Sequence, residues 1–284
     1  PAAGHADGRG LSATLSPPDE AGIAAAIATA HAAREPIAVE GHGSKRGLLR
    51  PVQAARTIST RNLTGITLYS PAELVISARA GTPMPEIEAA LAEKCQHLIA
   101  EPPDTRGIFG AGEPATLGGI VAANLSGPRR IAWGAMRDHI LGVRFVNGAG
   151  EVLRSGGRGL KNVTGLDLCK LLAGSYGTLG VMTEITLKVL PAPEATATLL
   201  IQVPDIEVGV RAVSAGLASP FSVTGAAVVP GRPILAALRL EDFAPSVAYR
   251  AGRLRESLAA FGPISVLEGE ASRGFWREVR DAAP

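Results

Sequence analysis

The sequence predicts an α+β protein in two parts, a larger unit up to residue 191 and a smaller one from residue 194 to residue 284. Three observations carry this. Segments with the two-residue rhythm of strands alternate with segments of helical rhythm from residue 17 onward, without an internal repeat. Pro191 and Pro193 then interrupt the pattern, where a missing N–H and a fixed φ end any regular element. Beyond them the order is β-α-β-β-α-β, the ferredoxin-like succession.

The totals narrow the classes. With 284 residues, 46% of them hydrophobic, the chain can build a substantial core, and 19% charged residues argue against disorder. Its formal net charge is +2 with no basic run, so nucleic acid is not an expected partner. No apolar run reaches the roughly 18 residues a membrane span needs, and no secretory leader opens the chain, so a cytoplasmic protein is expected. Cys95 and Cys169 stand far apart, each beside apolar residues, and read as two reduced, buried thiols. The chain begins at Pro1 rather than Met, so an upstream start is expected, and residues 1–16 read as a loose arm.

Ser16-Pro17-Pro18-Asp19 opens a helix that carries Ile23, Ile27 and Ala30 on one face. Residues 36–40 form a short strand, and Gly41-His42-Gly43-Ser44-Lys45-Arg46-Gly47 follows at once. A dinucleotide fold would need a helix starting at the last glycine, but Pro51 stands in the way. A phosphate held here would lie in a nest of N–H groups, assisted by Ser44, Lys45 and Arg46; an ordinary surface turn fits the same residues. Strands over 56–60, 66–69 and 73–80 and a helix over 85–94, with Ile87 and Leu91 inward, complete a first subdomain of about 17–102.

The second subdomain, about 103–191, starts irregularly. Thr116 suits the N-cap of a helix over 117–124, on which Gly118 and Ala122, and Gly119 and Ala123, stand four apart. One side therefore offers almost bare backbone, for a tight helix crossing or for a ligand. Arg129, Arg130 and Arg137 share a short loop with Trp133, either a solvated basic loop or a contact with a subunit or an acidic ligand. A strand over 139–147, a turn at Asn147-Gly148-Ala149-Gly150 and a return over 151–154 lead to the least generic stretch, KNVTGLDLCKLLAGSYGTLGVMTE, residues 161–184. There a helical rhythm at Leu168, Leu171 and Leu172 breaks at Gly174, Gly177 and Gly180, and a strand follows. In the smaller unit, strands over 196–203, 223–229, 235–240 and 264–267, helices over 207–218 and 246–261, and a last helix over 272–280 are expected, in a unit that reads as truncated at residue 284.

Taken in order, GHGSKRGLLRP, ELVISARAGTPMPEIEAALAE, the Glu101-Pro102-Pro103 loop, ATLGGIVAANLSGPRR, WGAMRDHILG and KNVTGLDLCKLLAGSYGTLGVMTE resemble the flavoproteins of the vanillyl-alcohol oxidase, or cresol methylhydroxylase-type, superfamily. The resemblance covers about 17–191 and is nearest to the glycolate oxidase/D-lactate dehydrogenase branch. In the form KNVxGYDLxxLxxGSxGTLGxxTE typical of that branch, only the aromatic after Gly165 is replaced here, by Leu166. The LSGPRR stretch is similar to the FAD-binding subunits of glycolate oxidase complexes, where catalytic relatives carry an asparagine- and glycine-rich segment.

The resemblance implies a two-subdomain FAD-binding domain followed by a cap, with FAD between the subdomains. It implies a pyrophosphate loop of Gly41, His42, Gly43, Ser44 and Lys45. Pro103, Asp104, Ala115, Thr116, Gly118 and Gly119 would line the cofactor, as would Ala123, Asn124 and Ser126. Gly177, Thr178, Leu179, Gly180 and Val181 would present main chain to it. Covalent relatives carry histidine where Ser44 stands, so non-covalent FAD is expected. The resemblance further implies, as partners, a homologous catalytic flavoprotein subunit and an iron–sulfur subunit, a small 2-hydroxy acid (glycolate or D-lactate) as substrate, and attachment to the inner membrane face only through those partners. The catalytic relatives hold metal and substrate with late histidines; here no histidine follows His139, so neither a metal ligand nor a catalytic base is assigned. A free-standing 2-hydroxy-acid dehydrogenase and a scaffold without cofactor are the competing readings.

Overall fold

The computed structural model describes residues 13–48, 50–157 and 166–282. Most of the expected arm, residues 1–12, and the KNVTG start of the glycine-rich motif lie outside these.

The first lobe holds β1 (Ala13–Leu15), α1 (Glu20–Ala33), β2 (Ile37–Glu40) and β3 (Arg56–Ser59), its strands in the parallel order β1-β3-β2. Asp19 caps α1 by accepting the Gly22 N–H at 2.8 Å, the expected helix entry. Ile23 and Ile27 of α1 pack with Ile58, Leu63, Val146 and Val181 into a small core. Ala13, Thr14 and Leu15 are not part of a loose arm, because they pair with Arg56, Thr57 and Ile58. Three residues are too few for a legible alternation, and the partner strand lies far along the chain.

The second lobe comprises β4 (Ile66–Ser70), β5 (Val75–Arg79), α2 (Met84–Ala92), β6 (Gln96–Leu98), α3 (Arg106–Phe109), α4 (Leu117–Ala122), α5 (Arg130–Trp133), β7 (Ile140–Val146), β8 (Val152–Gly156), α6 (Leu168–Leu172) and β9 (Val181–Pro191). Its antiparallel sheet runs β4-β5-β9-β7-β8, and β6 also pairs with β9. The long strand β9 sits at the centre, and its Ile185, Leu187 and Val189 face a core that includes Ile87, Leu91, Leu117 and Ile120. The sheets divide between β3 and β4, not near Pro102 as the local order suggests. Val75 to Arg79 pair with Lys188 to Glu184, far downstream, and local order carries no trace of that pairing.

The third lobe is β10 (Ala195–Val203), α7 (Ile206–Leu217), β11 (Gly225–Val229), β12 (Ile234–Asp242), α8 (Ala244–Leu258), β13 (Ile264–Glu268) and α9 (Gly269–Asp281). The βαββαβ unit closes into one antiparallel sheet, β11-β12-β10-β13. Alternation along β10 explains its two coats. Leu199 and Ile201 join the core with Leu254 and Leu258 of α8, while Thr196 and Thr198 face α9, where Ser272 lies 3.1 and 2.7 Å away and Trp276 Nε1 donates to Thr198 Oγ1 at 2.8 Å. Among the described residues no helix is long and apolar enough to cross a membrane.

Candidate cofactor site

The short helix α4 is the hub of the candidate site. Thr116 caps it, accepting the Gly119 N–H at 3.3 Å, and its first turn is seated on the end of β5, where Gly118 N donates to Ala80 O at 2.8 Å. A Cβ on Gly118 would stand 2.8 Å from the Ala80 Cβ, so this glycine serves the tight crossing. The neighbouring glycine faces elsewhere. A Cβ on Gly119 would stand 3.0 Å from Lys45 Nζ, and one on Gly41 would fall 2.1 Å from Thr116 Oγ1. The first glycine loop thus lies against the start of α4. Ser59 Oγ donates to Gly41 O at 2.7 Å and His42 Nδ1 lies 2.9 Å from Pro114 O, fixing the loop from both sides.

Lys45 is the electrostatic feature of this contact. Its ammonium is partly buried, its side-chain neighbour is Ser44 Oγ at 3.4 Å, and no carboxylate pairs with it among the described residues. Desolvation brings its pKa down to about 8. A partly buried cation without a counter-charge favours an arriving anion, because the anion supplies the missing partner. Arg46 plays no such part, because its Nε donates to Glu40 Oε2 at 2.8 Å and that pairing raises its pKa further.

The second glycine segment closes on the other end of α4. Gly174 N donates to Val121 O at 3.1 Å and Tyr176 N to Ala122 O at 2.9 Å. Positive φ values at Gly174 (82°), Tyr176 (54°) and Gly177 (77°) produce this fold-back. Gly177 then rests on the first lobe, where its Cβ would stand 3.1 Å from the Val39 Cβ. The two glycine segments therefore border one seam between the lobes. Ser175 Oγ is buried there without a hydrogen-bond partner among the described residues, while Tyr176 and Leu179 leave large side chains exposed. Ser175 was not singled out from sequence; its place inside the GSYG turn was the available signal.

The other expected site residues have assigned neighbours. Asn124, at φ 49°, accepts the Arg137 N–H at 2.9 Å, and Ser126 Oγ accepts the Met136 N–H at 2.9 Å. Asp104 is engaged by Arg106, with Nη2 to Oδ2 at 2.6 Å, which holds its carboxyl below the usual range. Ala115 is buried and its carbonyl accepts the Met84 N–H at 3.0 Å. Ala123 ends α4, Thr178 Oγ1 donates to Ser175 O at 2.6 Å, and Val181 turns its side chain into the first-lobe core. Pro103 lies partly buried in the loop before Asp104. Two sequence expectations change. Arg129 is not part of a solvated loop but pairs with Glu241 at 2.7 Å, and Cys95 is exposed while Cys169 is buried, both as free thiols. The partner of Arg129 comes from a distant segment.

A lysine without a counter-charge and a buried hydroxyl without a partner among the described residues, with glycine turns that bring main chain to a seam, fit a phosphate-bearing cofactor held between two lobes, and that is the class of protein the fold and site define. The chain belongs to the FAD binding domain family, whose profile matches residues 11–156, just over half of its length.

Among known proteins, glycolate oxidase subunit GlcE of Escherichia coli is 50% identical over 166 residues, 58% of this chain and 45% of that protein. Glycolate oxidase subunit GlcD of Bacillus subtilis is 29% identical over 181 residues, 60% of this chain and 37% of that protein. D-lactate dehydrogenase of Anaerostipes hadrus is 34% identical over 174 residues, covering 60% and 35%. The chain spans less than half the length of each of these relatives. In fold it is similar to p-cresol methylhydroxylase solved with bound substrate, with a TM-score of 0.75 at 12% identity, over 95% of this chain and 61% of that one. An alkyldihydroxyacetonephosphate synthase gives 0.72 at 20% identity, over 95% and 54%.

Proposed function

We propose that this chain is the FAD-binding portion of a glycolate oxidase-type subunit, working in a complex that oxidises glycolate or D-lactate to the 2-oxo acid. The observation that carries the reading is the 50% identity to glycolate oxidase subunit GlcE over 166 residues. The geometry is consistent with it: Lys45 and the main chain of residues 41–45 would hold the pyrophosphate, and Thr116 and Gly119 lie beside them. Gly177 and its neighbours would form the wall on the second lobe, next to the turn in which Asn124 and Ser126 accept the Arg137 and Met136 N–H groups. Bound FAD supplies the two-electron acceptor for the substrate alcohol. Attachment is read as non-covalent, because by the resemblance Ser44 stands where covalent relatives carry histidine, while His42 Nδ1 lies 2.9 Å from Pro114 O. The partners in this reading are a homologous catalytic flavoprotein subunit and an iron–sulfur subunit, through which the complex would associate with the inner face of the membrane.

The absorption spectrum of the purified protein tests the cofactor, and dye reduction tests the role. A flavin spectrum, with glycolate-dependent dye reduction appearing only when the partners are present, is the expected result. A protein that stays colourless after FAD reconstitution overturns the reading. The 34% identity to D-lactate dehydrogenase favours a second reading, a free-standing 2-hydroxy-acid dehydrogenase. Anaerobic bleaching of the flavin by glycolate or D-lactate on the isolated protein would select it.

A further inference from the structure

Two loops of the candidate site are fastened from outside, by the third lobe. One runs from Glu101 to Asp104, the other from Asn124 to Arg129. They cross in contact: Gly127 N donates to Ala100 O at 2.8 Å, and a Cβ on Gly127 would fall 2.0 Å from Glu101 O. Glu101 has φ 50°, a left-handed conformation that a side-chain-bearing residue keeps only where its surroundings over-determine it. Here they do. Arg239 of β12 grips the Glu101 carboxylate with two bonds of 2.8 Å, and the Arg129 N–H donates to the same carboxylate at 3.1 Å.

Arg129 completes the exchange with bonds of 3.0 and 2.7 Å to Glu241, also on β12, and Arg239 lies 4.7 Å over the Trp276 ring of α9. The loop is held at its other end as well. The Asp104 N–H donates to Asp281 Oδ1 of α9 at 2.8 Å, and Arg280 Nε donates to the same oxygen at 2.7 Å. Burying four charges between lobes is a poor way to gain stability compared with apolar packing, but it fixes one geometry, since any shift breaks several charge-assisted bonds together.

We infer that Arg239 and Asp281 are positioning residues for the cofactor, the third lobe setting the backbone of Pro103 and Asp104 through Glu101 at one end and the Asp104 N–H at the other. This rests on the reading of residues 103–104 as cofactor contacts. By linkage, FAD and the docked third lobe then stabilise each other.

The test is FAD affinity of the full chain by flavin fluorescence, with the shape of the visible flavin band as a second readout and far-UV circular dichroism as the check of folding. Asp281→Ala and Arg239→Gln are expected to weaken FAD by about tenfold or more and to blur the flavin band. Asp281→Asn, which keeps an oxygen to accept the Asp104 N–H, is expected to bind within about twofold of the parent. Arg239→Lys keeps the charge but not the fork, and falls between. Folded Asp281→Ala with parental FAD affinity overturns the inference, and because Asp281 is partly exposed at a helix end this holds even if Arg239→Gln fails to fold. Lys45→Glu separates the two levels. If it too leaves FAD affinity unchanged, the site itself is misplaced and the inference falls with it; if it weakens FAD while Asp281→Ala does not, positioning alone is wrong.

Discussion

Lys45 and Gly119 are in contact across the seam between the first two lobes, so closely that a methyl group on Gly119 would sit 3.0 Å from the Lys45 ammonium. A glycine keeps the space faced by a cation that has no carboxylate partner among the described residues. If that space takes the cofactor pyrophosphate, Lys45→Glu replaces attraction by repulsion. FAD affinity is expected to fall by on the order of tenfold to a hundredfold, measured by fluorescence titration.

The same lysine gives a pH signature. Burial lowers its pKa from 10.5 to about 8 in the FAD-free protein. Between those values the unfolded chain holds more protons than the folded one, so this group's effect is to raise stability as pH climbs from about 8 toward 10.5. FAD affinity moves oppositely, weakening above about pH 8 as the ammonium is lost. Lys45→Met is expected to flatten both profiles, read from denaturant melts and titrations across that range.

Gly41 and Gly119 should respond differently to alanine. At Gly41 the new methyl would meet Thr116, which is held as a helix cap, and destabilisation of about 1–3 kcal/mol is expected. At Gly119 the nearest contact, at 3.0 Å, is the far end of the flexible Lys45 side chain, which can move, and Thr116 Oγ1 stands farther off at 3.3 Å. Gly119→Ala is therefore expected to fold like the parent yet bind FAD more weakly, a separation visible by comparing melts with titrations.

Glu241 should govern part of the acid response. Burial raises its pKa, but the Arg129 fork, Arg239 and the Thr224 hydroxyl more than offset this and bring it to about 2. A depressed carboxyl contributes stability that is fully present above its ordinary value of 4.5 and is lost as pH falls through about 2. Glu241→Gln is expected to cost about 3–5 kcal/mol at neutral pH, because Arg129 and Arg239 lose a buried partner. The variant should also lose stability less steeply between pH 4.5 and 2.

The two thiols should label unequally. Cys95 is exposed, whereas Cys169 is buried, and burial together with the nearby Asp167 raises its pKa. A thiol reagent is expected to modify Cys95 alone in the native protein and both after unfolding, as mass spectrometry would show.

Much of the local structure was legible in the sequence. Asp19 and Thr116 announce their helices as caps, because a cap is a contact between residues three apart. The glycine turns announce themselves because positive φ favours that residue type. The resemblance drew attention to residues 41–45, 115–124 and 177–181, and these segments meet around α4 and the seam. Arg46 misled, since its neighbours in sequence suggested a phosphate while its partner in space is Glu40.

The sequence by itself determined where most of the longer helices, strands and turns fall, since propensity, capping and periodicity act over a few residues. Only the tertiary structure decided which segments share a sheet and which charges are neutralised. Ala13–Leu15 becomes a strand because β3 offers it an edge, and β4 and β5 join the second lobe because β9 lies between them and β7. Arg129 and Glu101 are buried and paired because β12 carries Glu241 and Arg239 to meet them. Hydrogen bonds between strands and ion pairs between side chains act over ångströms in space whatever the separation in sequence, so their partners become known only when the chain is folded.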